Sequence, residues 1–347
     1  MPSPPSQLLL LGVPGPELRP EDAELLRAIQ PGGFILTGRN IVSLEQTRRL
    51  TDDLRSLCEI EPFLCVASNG GDSPSLVTDA PPLPSAGEMR LRNDPRLITR
   101  HGWITGRLLR LMGINFNLAP ALEIGGLPAP PGGTGDQSWG EDDQQVINNA
   151  GTFNRYQRRQ GVLGCGRSFP RGDPAGFGAS QDPPVVDLTI DELMRSDLIP
   201  YTALMPELDG IMMSPVHCSR IDSAQPGLPA ALSRRIITGL LRDQLGYKRL
   251  VLIEGIDHLA DRRSLDAPEV ARRAAQAGAD LLVIGNEIRA APSLIAVLDE
   301  LPGYTLVDAL ERIEFAKKRL HGPTTRTDKA LELIGEDLRA LREDLEA

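Results

Sequence analysis

The chain has 347 residues, of which 41% are hydrophobic and 24% are charged, which suits one large α/β domain or two medium ones. The formal net charge is −10 and no basic cluster interrupts the sequence, so nucleic-acid binding has no electrostatic support. No apolar run approaches the roughly 20 residues of a membrane helix, and the first residues lack the features of a secretory signal, so the cytoplasm is the expected location.

Eight short apolar runs recur along the chain, each suited to a strand that is buried on both faces. They occupy residues 8–11, 33–36, 63–67, 115–119, 162–165, 210–214, 250–254 and 281–284. Helical patterns lie between or after them, at residues 20–28, 43–57, 94–111, 143–160, 189–205, 233–245, 267–277, 294–301 and 306–320. Eight βα units predict an α/β fold, a single (β/α)₈ TIM-like barrel over residues 1–322, rather than a doubly wound sheet.

Two connections in this pattern are too long to be simple turns. Residues 122–142 follow the fourth strand and residues 167–186 follow the fifth, and both are rich in Gly and Pro. In a barrel they would lie at the carboxyl ends of the strands. Long loops at that face usually shape a functional site.

The seventh run, residues 250–253, is followed at once by Glu254 and Gly255. A carboxylate at the carboxyl end of a buried parallel strand is where barrel enzymes keep their chemistry, and Gly255 allows a sharp turn. The simpler interpretation is a strand-end glutamate that is solvated or paired with an arginine. Asp257 and His258 follow closely enough to be alternative proton donors.

The last segment, residues 323–347, is predicted to form a charged helical extension. Its apolar stripe consists of Leu331, Ile334, Leu338, Leu341 and Leu345. The stripe could pack on the barrel or on a second subunit, and a solvated helix is the simpler expectation. We therefore expect a monomer or a weak homodimer.

The cysteines and histidines give no sign of a metal or cofactor site. No Cys-x-x-Cys pair is present, and Cys65 and Cys165 lie inside apolar runs, where buried free thiols are expected. The histidines do not form a set with metal-ligand spacing: His101, His217, His258 and His321. We expect neither a metal nor a cofactor.

Several segments together resemble glycoside hydrolase family 3, in particular its single-domain β-N-acetylhexosaminidase branch. The similar segments are Gly-Phe-Ile-Leu-Thr-Gly-Arg-Asn-Ile at 33–41, Gly-Ile-Asn-Phe-Asn-Leu-Ala-Pro at 113–120, Gln-Ser-Trp-Gly-Glu-Asp at 137–142, the stretch 232–247 and Ala-Gly-Ala-Asp at 277–280. They occur in the family's order across residues 7–320. The resemblance implies a TIM-like barrel and retaining hydrolysis of a β-linked N-acetylhexosamine.

The same resemblance implies an Asp nucleophile after the seventh strand and a His–Asp acid/base pair on the loop after the fifth. Glu254 stands at the nucleophile position, one methylene longer than the family's Asp. The family's Lys-His-Phe-Pro-Gly-His-Gly-Asp element reads Arg167-Ser168-Phe-Pro-Arg-Gly-Asp173, so both histidines are missing. Asp173 is a candidate acid, since retention needs a nucleophile and a proton donor.

The other ligand-facing positions of the motifs are also changed. Asn69 lies in the third-strand element, Glu123 replaces an Asp, Gln137 replaces an Arg, and His217 lies two residues after the position of the sixth-strand His. Arg39 either contacts the ligand or ties its own loop to acidic neighbours. The expected substrate-binding side chains are Arg39, Asn69, Glu123, Gln137, Arg167, Ser168 and His217.

Three functions are compatible with this pattern. The first is a glycosidase of weak or altered activity that uses Glu254 and a new proton donor. The second is a non-catalytic carbohydrate-binding protein on the same barrel. The third is an interaction protein whose contacts are made by the C-terminal helix. A carbohydrate or glycoside is the ligand expected from the first two, since function follows the site rather than the fold.

Overall fold

The computed structural model describes residues 4–71, 81–125, 137–172, 184–263, 265–285, 288–325 and 327–347, with the side chains of 261–263 left aside. Its strands are β1 (Leu9–Gly12), β2 (Gly33–Ile35), β3 (Phe63–Val66), β4 (Phe116–Asn117), β5 (Leu163–Phe169), β6 (Val185–Val186), β7 (Gly210–Met213), β8 (His217–Cys218), β9 (Leu250–Ile253) and β10 (Leu281–Ile284). Eight of them close into a parallel barrel in the order β1-β10-β9-β7-β5-β4-β3-β2. The predicted (β/α)₈ barrel and its eight strands are confirmed.

The helices surround this barrel. They are α1 (Pro20–Ile29), α2 (Leu44–Ser56), α3 (Ala86–Arg92), α4 (Pro95–Leu111), α5 (Asp143–Arg158), α6 (Ile190–Met194), α7 (Leu198–Leu204), a π-helix (Arg235–Gln244), α8 (Ile256–Arg263), α9 (Ala267–Ala277), α10 (Ala291–Asp299), α11 (Gly303–Lys317) and α12 (Asp328–Glu346). Short polar side chains begin several of them: Ser43 accepts a hydrogen bond from the amide of Gln46, and Asp142 accepts one from that of Gln145.

The core is continuous between the barrel interior and the helix layer. The four residues of β9 and the four of β10 are all buried, as expected for strands covered on both faces. Cys65 and Cys165 are buried free thiols, which confirms that prediction. Burial raises the pKa of both thiols, so they behave as small apolar groups.

Several predicted elements differ from those observed. The helix expected over 189–205 is two helices, α6 and α7, because α6 ends at Met194 and a turn intervenes. The helix expected over 233–245 is the π-helix, whose apolar spacing is too close to that of an α-helix to be told apart by periodicity. The parallel pair β6–β8 and the helices α3 and α8 were not predicted.

Strand β5 is longer than predicted and runs on to Phe169. Arg167 and Ser168 therefore lie in the strand and not in the following loop. The pairing with β7 shifts register between Gly166 and Phe169, and the two residues between them are both half-buried. A bulge of this kind re-aims side chains at the rim of a barrel.

Two buried aspartates fix the amino-terminal end of the barrel. Asp209, directly before β7, accepts hydrogen bonds from Arg158, Arg249 and Arg319. Asp280, directly before β10, accepts hydrogen bonds from Arg242 and Arg312 and from the amide of Val251. A buried carboxylate needs such multiple pairing to offset the loss of its hydration.

Helix α12 packs on the barrel's outer layer, along α4, so the simpler expectation of a solvated helix is wrong and the alternative of packing on the barrel is the one observed. Ile334, Leu338, Leu341 and Leu345 of its apolar stripe are buried, whereas Leu331 is partly buried. Arg342 extends from the helix to the segment before α3, so the C-terminal helix contacts the connection after β3. In the part of the chain described, no helix is long and apolar enough to cross a membrane.

Candidate active site

The polar residues singled out in the sequence lie at the carboxyl ends of the barrel strands. Asn69 follows β3, Glu123 follows β4, Arg167 lies near the end of β5 and Glu254 follows β9. Parallel strands present these ends at one mouth, which is where barrel enzymes bind their substrates. The strand topology therefore places these four side chains around a common opening.

Glu254 occupies the end of β9, and the chain turns sharply after it. Gly255 has a φ of +66°, a conformation that strains other residues, and α8 begins at the next position. The Glu254 side chain is half-buried, and among the described residues its carboxylate has no hydrogen bond or ion pair. Within the described part of the chain, Glu254 is therefore not paired with an arginine, which was the simpler interpretation of the sequence.

Three side chains at this opening are joined by hydrogen bonds, and we call them the mouth network: Asn69, Gln137 and Arg167. Arg167 Nη2 donates to Gln137 Oε1 at 2.5 Å, and Asn69 Nδ2 donates to the same oxygen at 3.3 Å. The Arg167 Nε group is buried and has no hydrogen-bond partner. An unsatisfied guanidinium N–H is costly to bury, so this end of the row is suited to an added acceptor oxygen.

The Asn69 end of the mouth network is held from several directions. Its Oδ1 accepts hydrogen bonds from the amide of Ala121 at 3.1 Å and from Trp139 Nε1 at 3.4 Å. The Trp139 ring in turn stacks on Phe153, with centroids 4.7 Å apart. Trp139 is fully buried, so the network is anchored in the core rather than on a loose loop.

The backbone after Asn69 depends on a glycine. Gly70 has a φ of +86°, and a Cβ there would lie 1.9 Å from the carbonyl oxygen of Pro84. The same carbonyl accepts a hydrogen bond from His101 Nε2 at 2.8 Å. Burial lowers the pKa of His101 to about 4, so its ring is neutral and serves a structural role.

Glu123 follows a segment that pairs with Arg167, and its side chain lies against the backbone of Gly172. A Cβ at residue 172 would come within 2.2 Å of the Glu123 carboxyl carbon. The buried hydroxyl of Tyr201 has no hydrogen-bond partner, and its ring packs edge-on against Phe169 at 5.1 Å. Burial, with Glu123 as a second cause, raises the pKa of Tyr201 well above its ordinary value, so the phenol keeps its proton.

Asp257 is the second carboxylate on the segment after β9. Both of its oxygens are buried and neither has a hydrogen-bond partner. Its Oδ2 lies 3.9 Å from the position a Cβ would take at Gly285. The sequence named Asp257 as an alternative acid, and its orphaned oxygens, together with the Tyr201 hydroxyl, are features that no sequence pattern signals.

The remaining predicted site residues have other surroundings. Arg39 Nε donates to the carbonyl of Val13 at 2.9 Å, and its Nη2 donates to that of Gly285, so it links the segments after β1 and β10 by backbone contacts. His217 lies in β8 and its Nδ1 is 2.9 Å from the carbonyl of Leu228. Ser168 is half-buried in β5, whereas Asp173 lies outside the described residues.

The described part of the molecule shows no metal-binding cluster. Within the ranges that the structure describes, no group of three or more His, Cys, Asp or Glu side chains is arranged to hold an ion. The described polar side chains at the mouth include the carboxylates of Glu123 and Glu254, the amides of Asn69 and Gln137 and the guanidinium of Arg167.

Comparison with known proteins assigns this architecture to one family. Residues 6–316 match the model of the glycosyl hydrolase family 3 N-terminal domain. A β-hexosaminidase of Alkalilimnicola ehrlichii is 30% identical over 327 residues, which are 90% of this chain and 88% of that protein. A β-hexosaminidase of Thioalkalivibrio sulfidiphilus is 27% identical over 334 residues, 92% of each chain. Native NagZ from Neisseria gonorrhoeae has a similar fold, with a TM-score of 0.80 and 20% identity across 100% of both chains.

Proposed function

Because this chain belongs to glycosyl hydrolase family 3, we propose that it binds a β-linked glycoside at the mouth of its barrel and hydrolyses it slowly. Glu254 is the attacking carboxylate in this proposal. The ligand in this proposal is a terminal β-linked N-acetylhexosamine, as the relatives' names suggest, or another β-glycoside. The observation that carries the proposal is the carboxylate of Glu254, half-buried at the end of β9 and without a partner among the described residues.

The mouth network supports sugar binding. Arg167, Gln137 and Asn69 present donors and acceptors in a fixed row, which suits the closely spaced hydroxyls of a pyranose ring. Arg167 has an orphaned N–H that a sugar oxygen would satisfy. Side chains already held by their neighbours lose little freedom on binding, which favours recognition.

The chemical step requires two events at the glycosidic bond. A Glu254 oxygen bonds to the anomeric carbon as the bond to the leaving oxygen breaks, and that oxygen must receive a proton. Water then hydrolyses the glycosyl ester. The extra methylene of Glu254 shifts the attacking oxygen by roughly one bond length, and an error near 1 Å costs about a hundredfold in rate.

The proton donor is the weaker part of the site. Asp173 and Asp257 are the candidates, and Asp257 is favoured by its two buried, unpartnered oxygens. Loss of general acid catalysis costs about 10²- to 10⁴-fold. A p-nitrophenolate leaving group needs almost no protonation, so activated aryl glycosides are expected to be hydrolysed and alkyl glycosides hardly at all.

The test compares wild type with Glu254→Gln on p-nitrophenyl β-N-acetylglucosaminide and β-glucoside. The Gln variant should lose turnover, because an amide cannot attack, whereas Glu24→Gln on the exposed face of α1 should match wild type. No turnover in wild type, or turnover that survives Glu254→Gln, would contradict the hydrolase proposal.

A second candidate is a carbohydrate-binding protein without turnover. Two observations favour it. The mouth network is present, whereas the nucleophile is changed and the segment 167–172 contains no histidine. Calorimetry with N-acetylglucosamine separates the cases: binding that is lost in Arg167→Ala, in a protein that hydrolyses no aryl glycoside, supports the receptor. Absence of both binding and turnover contradicts both.

A further inference from the structure

A polar cavity lies at the opposite end of the barrel from the mouth. Its volume is about 470 Å³, and the charged or titratable side chains that line it are Arg155, Arg158, Arg159, Arg319 and His321. The arginines come from the end of α5 and from the segment after α11. Three of the arginines lie within residues 155–159, and the fourth joins them only in the folded chain.

The position of this basic cavity separates it from the proposed active site. Its wall includes Leu163, the first residue of β5, whereas Arg167 of the mouth network lies four residues further along the same strand. Four residues of extended strand span roughly 13 Å. A ligand in the basic cavity would therefore lie below the barrel floor and away from Glu254.

The charges around the basic cavity do not balance. Asp209 serves three arginines at once: Arg158 at 2.8 Å, Arg249 at 3.0 Å, and Arg319. Glu207 accepts hydrogen bonds from Arg155 at 3.1 and 3.2 Å. These are two carboxylates for four arginines, in a chain whose net charge is −10.

Arg159 adds a fifth positive charge that has no carboxylate. Among the described residues its guanidinium interacts only with the ring of Tyr156, whose centroid lies 4.5 Å from the guanidinium carbon. Arg158 uses its Nε and one Nη for Asp209, which leaves further N–H donors of its fork for another acceptor. His321 lies over Gly161, where a Cβ would approach the ring within 2.9 Å.

A purely structural role accounts for the Asp209 pairs, because they tie α5, β7 and α11 together. It does not account for Arg159, or for four arginines lining a cavity where, among the described residues, only Asp209 and Glu207 pair with them. We propose that the basic cavity binds a small phosphate-bearing anion, either free phosphate or a phosphate monoester. Planar guanidinium forks match phosphate oxygens in pairs, and neighbouring like charges repel until an anion joins them.

The test is calorimetric titration of the full chain with inorganic phosphate at low ionic strength, where screening is weak. We expect one saturable site and an affinity that falls about tenfold in Arg159→Gln. Arg159 is exposed and outside the Asp209 pairs, so this variant should fold normally. The matched control is Arg27→Gln, an exposed arginine on α1 far along the chain, which should bind phosphate as wild type does.

The source of the phosphate group is read from a second titration, with glucose 6-phosphate. If glucose 6-phosphate binds more tightly than inorganic phosphate, the ligand is a phosphate ester; if the two bind equally, it is free phosphate. Either result supports the site. Equal affinity in wild type and Arg159→Gln, or heat that never saturates, would overturn it. Glu254→Gln should bind phosphate like wild type, so this result is independent of the proposed hydrolysis.

Discussion

Replacing Asn69 by alanine tests whether the mouth network is a built part of the barrel. The substitution removes the acceptor for the amide of Ala121 and for Trp139 Nε1, both of which are buried. An orphaned buried donor costs about 1–3 kcal/mol, and the long 3.4 Å contact lies at the low end. We therefore expect Asn69→Ala to lower the free energy of unfolding by about 3 kcal/mol.

The measurement is the thermal midpoint, followed by circular dichroism. An unfolding entropy of about 2.1 cal/mol/K per residue converts 3 kcal/mol into a fall of about 4 °C for a chain of this size. The control is Asn69→Asp, which keeps an acceptor oxygen for both donors but loses the hydrogen bond to Gln137 and adds a negative charge. It should lower the midpoint by less than Asn69→Ala does. Equal midpoints for Asn69→Ala and wild type would refute the argument.

Two further predictions concern the support behind this network. Burial lowers the pKa of His101 to about 4, below the ordinary value of a histidine, so the unfolded chain binds its proton first. The stability that depends on neutral His101 is therefore complete above about pH 6.5 and falls by up to about 1.4 kcal/mol per unit as the pH drops towards 4. The urea midpoint should fall more between pH 7 and pH 5 in wild type than in His101→Gln. An equal fall in both proteins would contradict this. Arg342→Ala removes the donors to the carbonyls of Pro82 and Leu83 and to the Glu88 carboxylate, so hydrogen exchange should accelerate in residues 81–92. Lys329→Ala, on the exposed face of the same helix, should leave that exchange unchanged, and an unchanged rate in Arg342→Ala would show that α12 does not brace this segment.

The sequence was sufficient for the fold because apolar runs and helical spacing repeat with the barrel's own period. Glu254 was identifiable by a simple rule, since it is the first polar residue after a continuous apolar strand. The end of β5 could not be predicted in this way, because Arg167 and Ser168 are polar. The bulge that places them in the strand depends on pairing with β7. Registers and bulges are set by neighbouring strands and leave little trace in local sequence.

The relations between side chains were the hardest part to predict. Asn69, Gln137 and Arg167 were each expected to contact a ligand, but their bonds to one another depend on how two loops meet the end of β5. Arg39 illustrates the same limit, since its Nε and Nη2 donate to the backbone carbonyls of Val13 and Gly285, which lie far from it along the chain. The excess of arginines around Asp209 was also hidden, because Arg158, Arg249 and Arg319 meet only in the folded barrel.

The shared oxygen of Gln137 has a consequence for how this site could change. Arg167 and Asn69 both donate to it, so replacing either one leaves the other as the sole donor of the pair to that oxygen. Single substitutions in the mouth network would therefore be expected to damage the site before they could alter its preference. New specificity would arise through coupled pairs of changes, and the effects of two such mutations measured together would differ from the sum of their separate effects.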